Sequence, residues 1–107
     1  MDKRKALLIE ELQKFRKNLS KDVSIQKMFL FGSQASGHTH QWSDVDLLIV
    51  SPLFNRRKSY QRSHGFYRHW DLEKPVDFLC YTPEEFAQLK KEISLVRQIV
   101  KEGIEIK

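Results

Sequence analysis

The chain of 107 residues is 40% hydrophobic and 31% charged, values of a globular domain rather than of a disordered segment. No stretch approaches the roughly 20 apolar residues of a membrane span, no secretory hydrophobic segment follows Met1-Asp2-Lys3-Arg4, and Cys80, as the sole cysteine, excludes an internal disulfide. One cytoplasmic domain over residues 1–107 is expected, and its net charge of +5 favours anionic partners without choosing among them.

Leu8, Leu12, Phe15 and Leu19 recur at helical spacing, which predicts an amphipathic helix over Lys3 to Leu19. Ile25 to Phe31 reads as a strand whose apolar run ends at Gly32. A short helix is expected from Ser33, then a loop over His38 to Trp42, then a second strand over Val45 to Ser51, closed by Pro52. Asn55 to Trp70 is predicted to be helical, with Leu53, Tyr60, Phe66, Tyr67 and Trp70 on its apolar side and Gly65 permitting a bend. Trp70 and the tyrosines are assigned to core or interface. Glu73-Lys74-Pro75 breaks the chain before a third buried strand, Val76 to Tyr81.

Thr82-Pro83-Glu84-Glu85 carries a capping box with proline at the first helical position. The stripe Phe86, Leu89, Ile93, Val96 and Val100 then runs to Gly103, with an interruption allowed at Ile93-Ser94. Ile104 to Ile106 suits a short edge strand or a partner contact. This order predicts an α/β fold, a small mixed sheet with helices packed on it.

The chemistry concentrates in two places. Phe31-Gly32-Ser33-Gln34 joins a glycine turn to a helix start, where backbone N–H groups suit phosphate. Ser43-Asp44-Val45-Asp46 then opens an apolar strand, and residues two apart on a strand share a face. Two such carboxylates, about 4 Å apart, repel by about 4 kcal/mol at an effective dielectric near 20. A divalent cation with oxygen ligands, Mg²⁺ or Mn²⁺, relieves that repulsion, as does protonation of one acid. Asp77 is the only charge in the third strand, and it completes a three-carboxylate cluster if the two strands are neighbours. Cys80 reads as a small apolar residue of that strand.

The pattern Gly-Ser, a short spacer, Ser-Asp-x-Asp-Leu and a single Asp on a later strand resembles the nucleotidyltransferase superfamily related to DNA polymerase β. The length is similar to that of its minimal, single-domain members, and the resemblance covers about Ile25 to Val50 and Val76 to Ile106. It implies Gly32 and Ser33 on the nucleotide phosphates, and Asp44, Asp46 and Asp77 as catalytic residues and ligands of Mg²⁺ or Mn²⁺. It further implies ATP as substrate, a hydroxyl acceptor, and a small helical partner protein of the kind with which antitoxins of this type pair. The chain departs from the family pattern at Gln34-Ala35-Ser36, where many members carry an arginine. His38, His40, Arg56, Arg57 and Lys58 are the candidate replacements.

A binding module that neutralises its partner by contact is the competing class. The basic segment from Arg56 to His69 suits a solvated face, a triphosphate clamp or a docking surface. With no recognised nucleic-acid motif in the chain, direct nucleic-acid binding is not expected. Walker and Rossmann phosphate loops are absent too.

Overall fold

The hydrophobic spacing at the start of the chain folds as α1 (Lys3–Leu19), with Leu8, Leu12, Phe15 and Leu19 all buried. The computed structural model describes residues 3–37 and 44–107. After α1 come β1 (Lys27–Phe31), the single turn α2 (Ser33–Ser36) and β2 (Val45–Val50). Three short 3₁₀ turns follow, Pro52–Arg56, Ser59–Gln61 and Phe66–His69. Then come β3 (Val76–Tyr81), α3 (Pro83–Leu89), α4 (Leu95–Glu102) and β4 (Ile104–Glu105). The loop expected over His38 to Trp42 lies outside the described residues.

The strands form one sheet in the order β3-β2-β1-β4. β1 is antiparallel to both β2 and β4, whereas β2 and β3 are parallel, so the sheet is mixed as expected. Side chains alternate across it. Met28, Leu30, Val45, Leu47 and Ile49 pack on one face against α1, Phe54 and Phe66. Phe29, Leu48 and Val50 pack on the other against Phe86 of α3 and Val96 and Ile99 of α4. The sheet is thus the middle of three layers. Leu12, Met28, Leu30 and Leu47 have no exposed surface, and each such side chain contributes about 1.5–3 kcal/mol on leaving water.

The long helix expected over Asn55 to Trp70 does not form. Parallel neighbours β2 and β3 need a crossover, and here it is made of 3₁₀ turns. Ser51 ends β2, and its hydroxyl accepts from the Leu53 N–H to start the first turn. Arg57 and Lys58 are extended (ψ 143° and 148°), which stops any helix there. Gly65 starts the third turn at φ 89°, a left-handed position that suits glycine. Phe54 and Phe66 plug the crossover onto the sheet, while Tyr60 and Tyr67 stay 75% and 60% exposed. Of the expected apolar side, Trp70 does reach the core, edge-on to Phe15 at 5.1 Å between ring centres, and its indole N–H donates to the Lys74 carbonyl.

Two further expectations change. The Thr82 capping box forms in full, but the stripe after it splits into α3 and α4. Ser94 caps α4 through the Arg97 N–H, which shifts the helical phase so that Val96 and Ile99 are buried. Ile93 is left 96% exposed and Val100 40% exposed. β3 is an edge strand with mostly half-buried residues rather than a buried one, because only β2 pairs with it. Arg62 covers part of that edge by donating to the Cys80 carbonyl and pairing with both carboxylate oxygens of Glu85. Burial pushes the Cys80 thiol up to about 12, so it stays protonated.

Candidate functional site

Gly32 ends β1 at φ 74° and ψ −156°, a region that is essentially glycine's alone. The turn brings its backbone against Asp46: a Cβ placed on Gly32 would lie 2.3 Å from Asp46 Oδ2. Glycine is therefore required twice at this position, by its dihedrals and by the carboxylate beside it. Ser33 opens α2, whose N–H groups at Ala35 and Ser36 donate back to the Gly32 carbonyl. Among the described residues nothing accepts a hydrogen bond from the Ser33 hydroxyl.

Asp46 is the second residue of β2 and Asp77 the second of β3, and the parallel register sets them directly side by side. Both lie two residues before side chains of the α3–α4 face, Leu48 and Leu79, so alternation sends both carboxylates to that face. Asp44 immediately precedes β2, again two residues from Asp46. The Asp46 carboxyl is pushed above its ordinary range by its own burial first, then by the charges of Asp77 and Asp44. All of these influences raise it, and none is a cation. Asp44 and Asp77 are exposed and Asp46 is half-buried, so the trio lines an open end of the sheet.

An all-carboxylate oxygen set is the donor chemistry of Mg²⁺ or Mn²⁺, and a carboxyl whose pKa is raised by burial and by acidic neighbours is one that a cation would relieve. The residues fit such an ion in kind. Among the described residues, however, no group of three or more His, Cys, Asp and Glu side chains is already gathered into a metal-holding arrangement.

The basic crossover does not reach this site. Its Phe54 and Phe66 belong to the α1 face of the sheet, opposite the carboxylates. Arg62 is occupied by Glu85, and no arginine of the crossover acts on Asp46. His38 and His40 lie outside the described residues. A cation that does approach the Gly-Ser turn is Lys5, whose ammonium donates to the Ala35 carbonyl at 2.5 Å.

The model of the nucleotidyltransferase domain family matches residues 12–106. The chain belongs to that family. No curated protein sequence matches it. Among solved structures it is similar to a "putative nucleotidyltransferase" from Sulfolobus solfataricus, with a TM-score of 0.64 at 15% identity. That alignment covers 94% of this chain and 80% of the other. At that identity the likeness speaks for the fold, and it agrees with the mixed sheet and its helices. No helix of the described residues is long and apolar enough to cross a membrane.

Beside Gly32 the nucleotidyltransferase domain has a cavity of about 420 Å³ between α2 and α4, bounded by Phe31, Ser36, Leu95, Gln98, Ile99 and Glu102. Neither Lys5 nor the α4 residues stand out in the sequence. Their spacing signals an amphipathic helix, and only the packing of α1 and α4 carries them to the turn.

Proposed function

We propose that this nucleotidyltransferase domain is metal-dependent and moves a nucleoside monophosphate from ATP, or another nucleoside triphosphate, to a hydroxyl acceptor. The observation that carries this reading is the meeting of Gly32 with the Asp46 carboxylate, in register with Asp77. Asp44 and Asp46 would hold Mg²⁺ or Mn²⁺, with Asp77 as third ligand. Such an ion, when bound, neutralises phosphate charge as the bond to pyrophosphate breaks. The Ser33 hydroxyl, facing no acceptor of its own, anchors a phosphate oxygen next to the Gly32 backbone. Asp77, exposed at the sheet edge, accepts the proton of the attacking hydroxyl while that oxygen forms its bond to the α-phosphorus. Pyrophosphate then leaves.

We place the acceptor hydroxyl on a small helical partner protein in the cytoplasm, with this chain as the antitoxin of a toxin–antitoxin pair. The support is an apolar surface with no cover: Ile93, Leu95 and Val100 are 96%, 52% and 40% exposed. Leu95 also lines the cavity beside Gly32, so a helix lying on this surface borders the transfer site. A second reading, a nucleotide-binding module that neutralises its partner by contact alone, draws on the lack, among the described residues, of a cation acting on Asp46.

Transfer of label from α-labelled ATP to the purified partner in Mg²⁺ separates the two. Label on the partner that disappears with EDTA supports transfer. Tight complex formation without label, at any divalent-ion concentration, leaves contact neutralisation as the function.

A further inference from the structure

The charge of this chain is not spread evenly. From Leu47 to Trp70 there is no acid, yet Arg56, Arg57, Lys58, Arg62 and Arg68 lie there. The remainder of the chain carries fourteen cationic and fourteen acidic side chains, so the whole net charge of +5 belongs to the crossover. The fold then neutralises one of these five, through the Arg62–Glu85 pair. His69 pairs with Asp22, which ties the third turn to the chain beyond α1. The side chains of Arg56, Lys58, His64 and Arg68 have no hydrogen bond or ion pair with any described residue.

Three of the crossover's basic groups converge. Arg57, Gln61, His64, Gly65 and Arg68 line an open hollow of about 360 Å³. Arg57 is already oriented, because its guanidinium donates to the Arg62 carbonyl at 3.0 Å. Gathering like charges around an empty hollow costs repulsion, which an anion removes. Gly65 adds a wall with no side chain, and Gln61 an amide with both donor and acceptor atoms.

Each of the two turns that line the hollow also exposes an aromatic ring beside a lining residue. Tyr60 adjoins Gln61 and is 75% exposed; Tyr67 adjoins Arg68 and is 60% exposed. A cationic hollow in turns that also expose aromatic rings is the combination that takes a nucleic-acid strand: cations track the backbone, and rings stack with unpaired bases. An acidic protein would use the cations too, so competition by polyglutamate is part of the test.

We propose that the crossover face is a binding site for single-stranded nucleic acid, with a backbone phosphate between Arg57, His64 and Arg68 and bases on Tyr60 and Tyr67. This site is on the opposite face of the sheet from Asp46 and Asp77 and needs neither divalent ion nor nucleotide. The reading stands apart from nucleotidyl transfer. It runs against the expectation drawn from the lack of a sequence motif, and its basis is 3₁₀ turns that no linear pattern describes.

The test is fluorescence anisotropy with a labelled single-stranded RNA of about twelve nucleotides, in EDTA, across a salt series. Arg68→Ser removes one unpaired cation, so the slope of log affinity against log salt falls by about 0.7. Tyr60→Ala and Tyr67→Ala each weaken binding about fivefold or more and leave the slope unchanged. Thermal melting of each variant confirms folding; Arg68→Ser breaks no hydrogen bond or ion pair with a described residue, so it serves if Arg57→Ser fails to fold. Three results would overturn the proposal. One is no binding at 50 mM salt. Another is wild-type affinity in both tyrosine variants with polyglutamate displacing the RNA, which assigns the face to an acidic protein. The third is equal affinity for a duplex of the same length.

Discussion

Gly32→Ala tests the structural centre of the site, because its two costs have separate origins. A Cβ residue at φ 74°, ψ −156° costs about 1–3 kcal/mol in backbone strain alone. The new methyl would also lie 2.3 Å from Asp46 Oδ2. That oxygen is the end of a rotatable side chain, so the conflict resolves by turning Asp46 off its rotamer, at about 0.5–1.5 kcal/mol. The expected loss is about 2–4 kcal/mol, a large share of the about 5–15 kcal/mol that holds a domain folded. Urea denaturation should show it as a fall in midpoint of about 1 M or more. The two parts separate in a double-mutant cycle with Asp46→Ala. Removing the carboxylate should return the clash portion, a coupling of about 0.5–1.5 kcal/mol, and leave the backbone portion intact. Calorimetry should show Mg²⁺–ATP binding lost in Gly32→Ala, since the displaced carboxylate no longer faces the turn. A coupling near zero, or wild-type nucleotide affinity in the single variant, would refute the claim that Gly32 exists to seat Asp46.

Asp46 should make stability fall as pH rises. Its folded pKa lies above the ordinary 3.8, so the native state holds that proton more tightly than the unfolded chain does. The contribution is present below the unfolded value and is lost as pH rises through the folded one. Asp46→Asn should remove this slope and raise stability at pH 7 in metal-free buffer, read by urea denaturation at several pH values; a less stable variant at pH 7 would mean that a cation holds the charge. Glu85 is held low by its hydrogen bond to Arg62, and that contribution fades as pH falls. It is common to both proteins and cancels in the comparison. For Asp77→Asn, exposed at the sheet edge, folding should change by no more than about 0.5 kcal/mol. Turnover with the partner should fall far more than nucleotide affinity, and an unimpaired turnover would remove Asp77 from proton transfer.

Local signals in this sequence carried where one residue dominates its surroundings. The α1 stripe is legible because helical spacing alone decides which side of Lys3–Leu19 is buried. The Thr82 capping box is legible because both of its hydrogen bonds lie within four residues. Asp46 and Asp77 were a conditional inference: each could be seen on a strand, but their adjacency is a property of the β2–β3 register, settled by the packing of a crossover between them. That crossover was the least legible part. Its aromatic residues at Phe54, Tyr60, Phe66, Tyr67 and Trp70 mimic a helix face, while Ser51, Pro52, the extended pair Arg57-Lys58 and Gly65 each divert the backbone.

The difference has functional weight. A continuous helix would have spread Arg57, Gln61, His64 and Arg68 along one solvated rod, each cation free in water. Short turns fold the same residues around a single hollow and leave Tyr60 and Tyr67 largely exposed, Tyr67 resting one edge on Phe78. A helix with that composition would need no ligand to explain it; Arg57 and Arg68 gathered with His64 at one hollow suit an anion. The carboxylate face and the cationic face of one small sheet thus present opposite charges on opposite sides. A nucleic-acid strand at one side and a metal-bound nucleotide at the other would meet the protein without competing for the same surface.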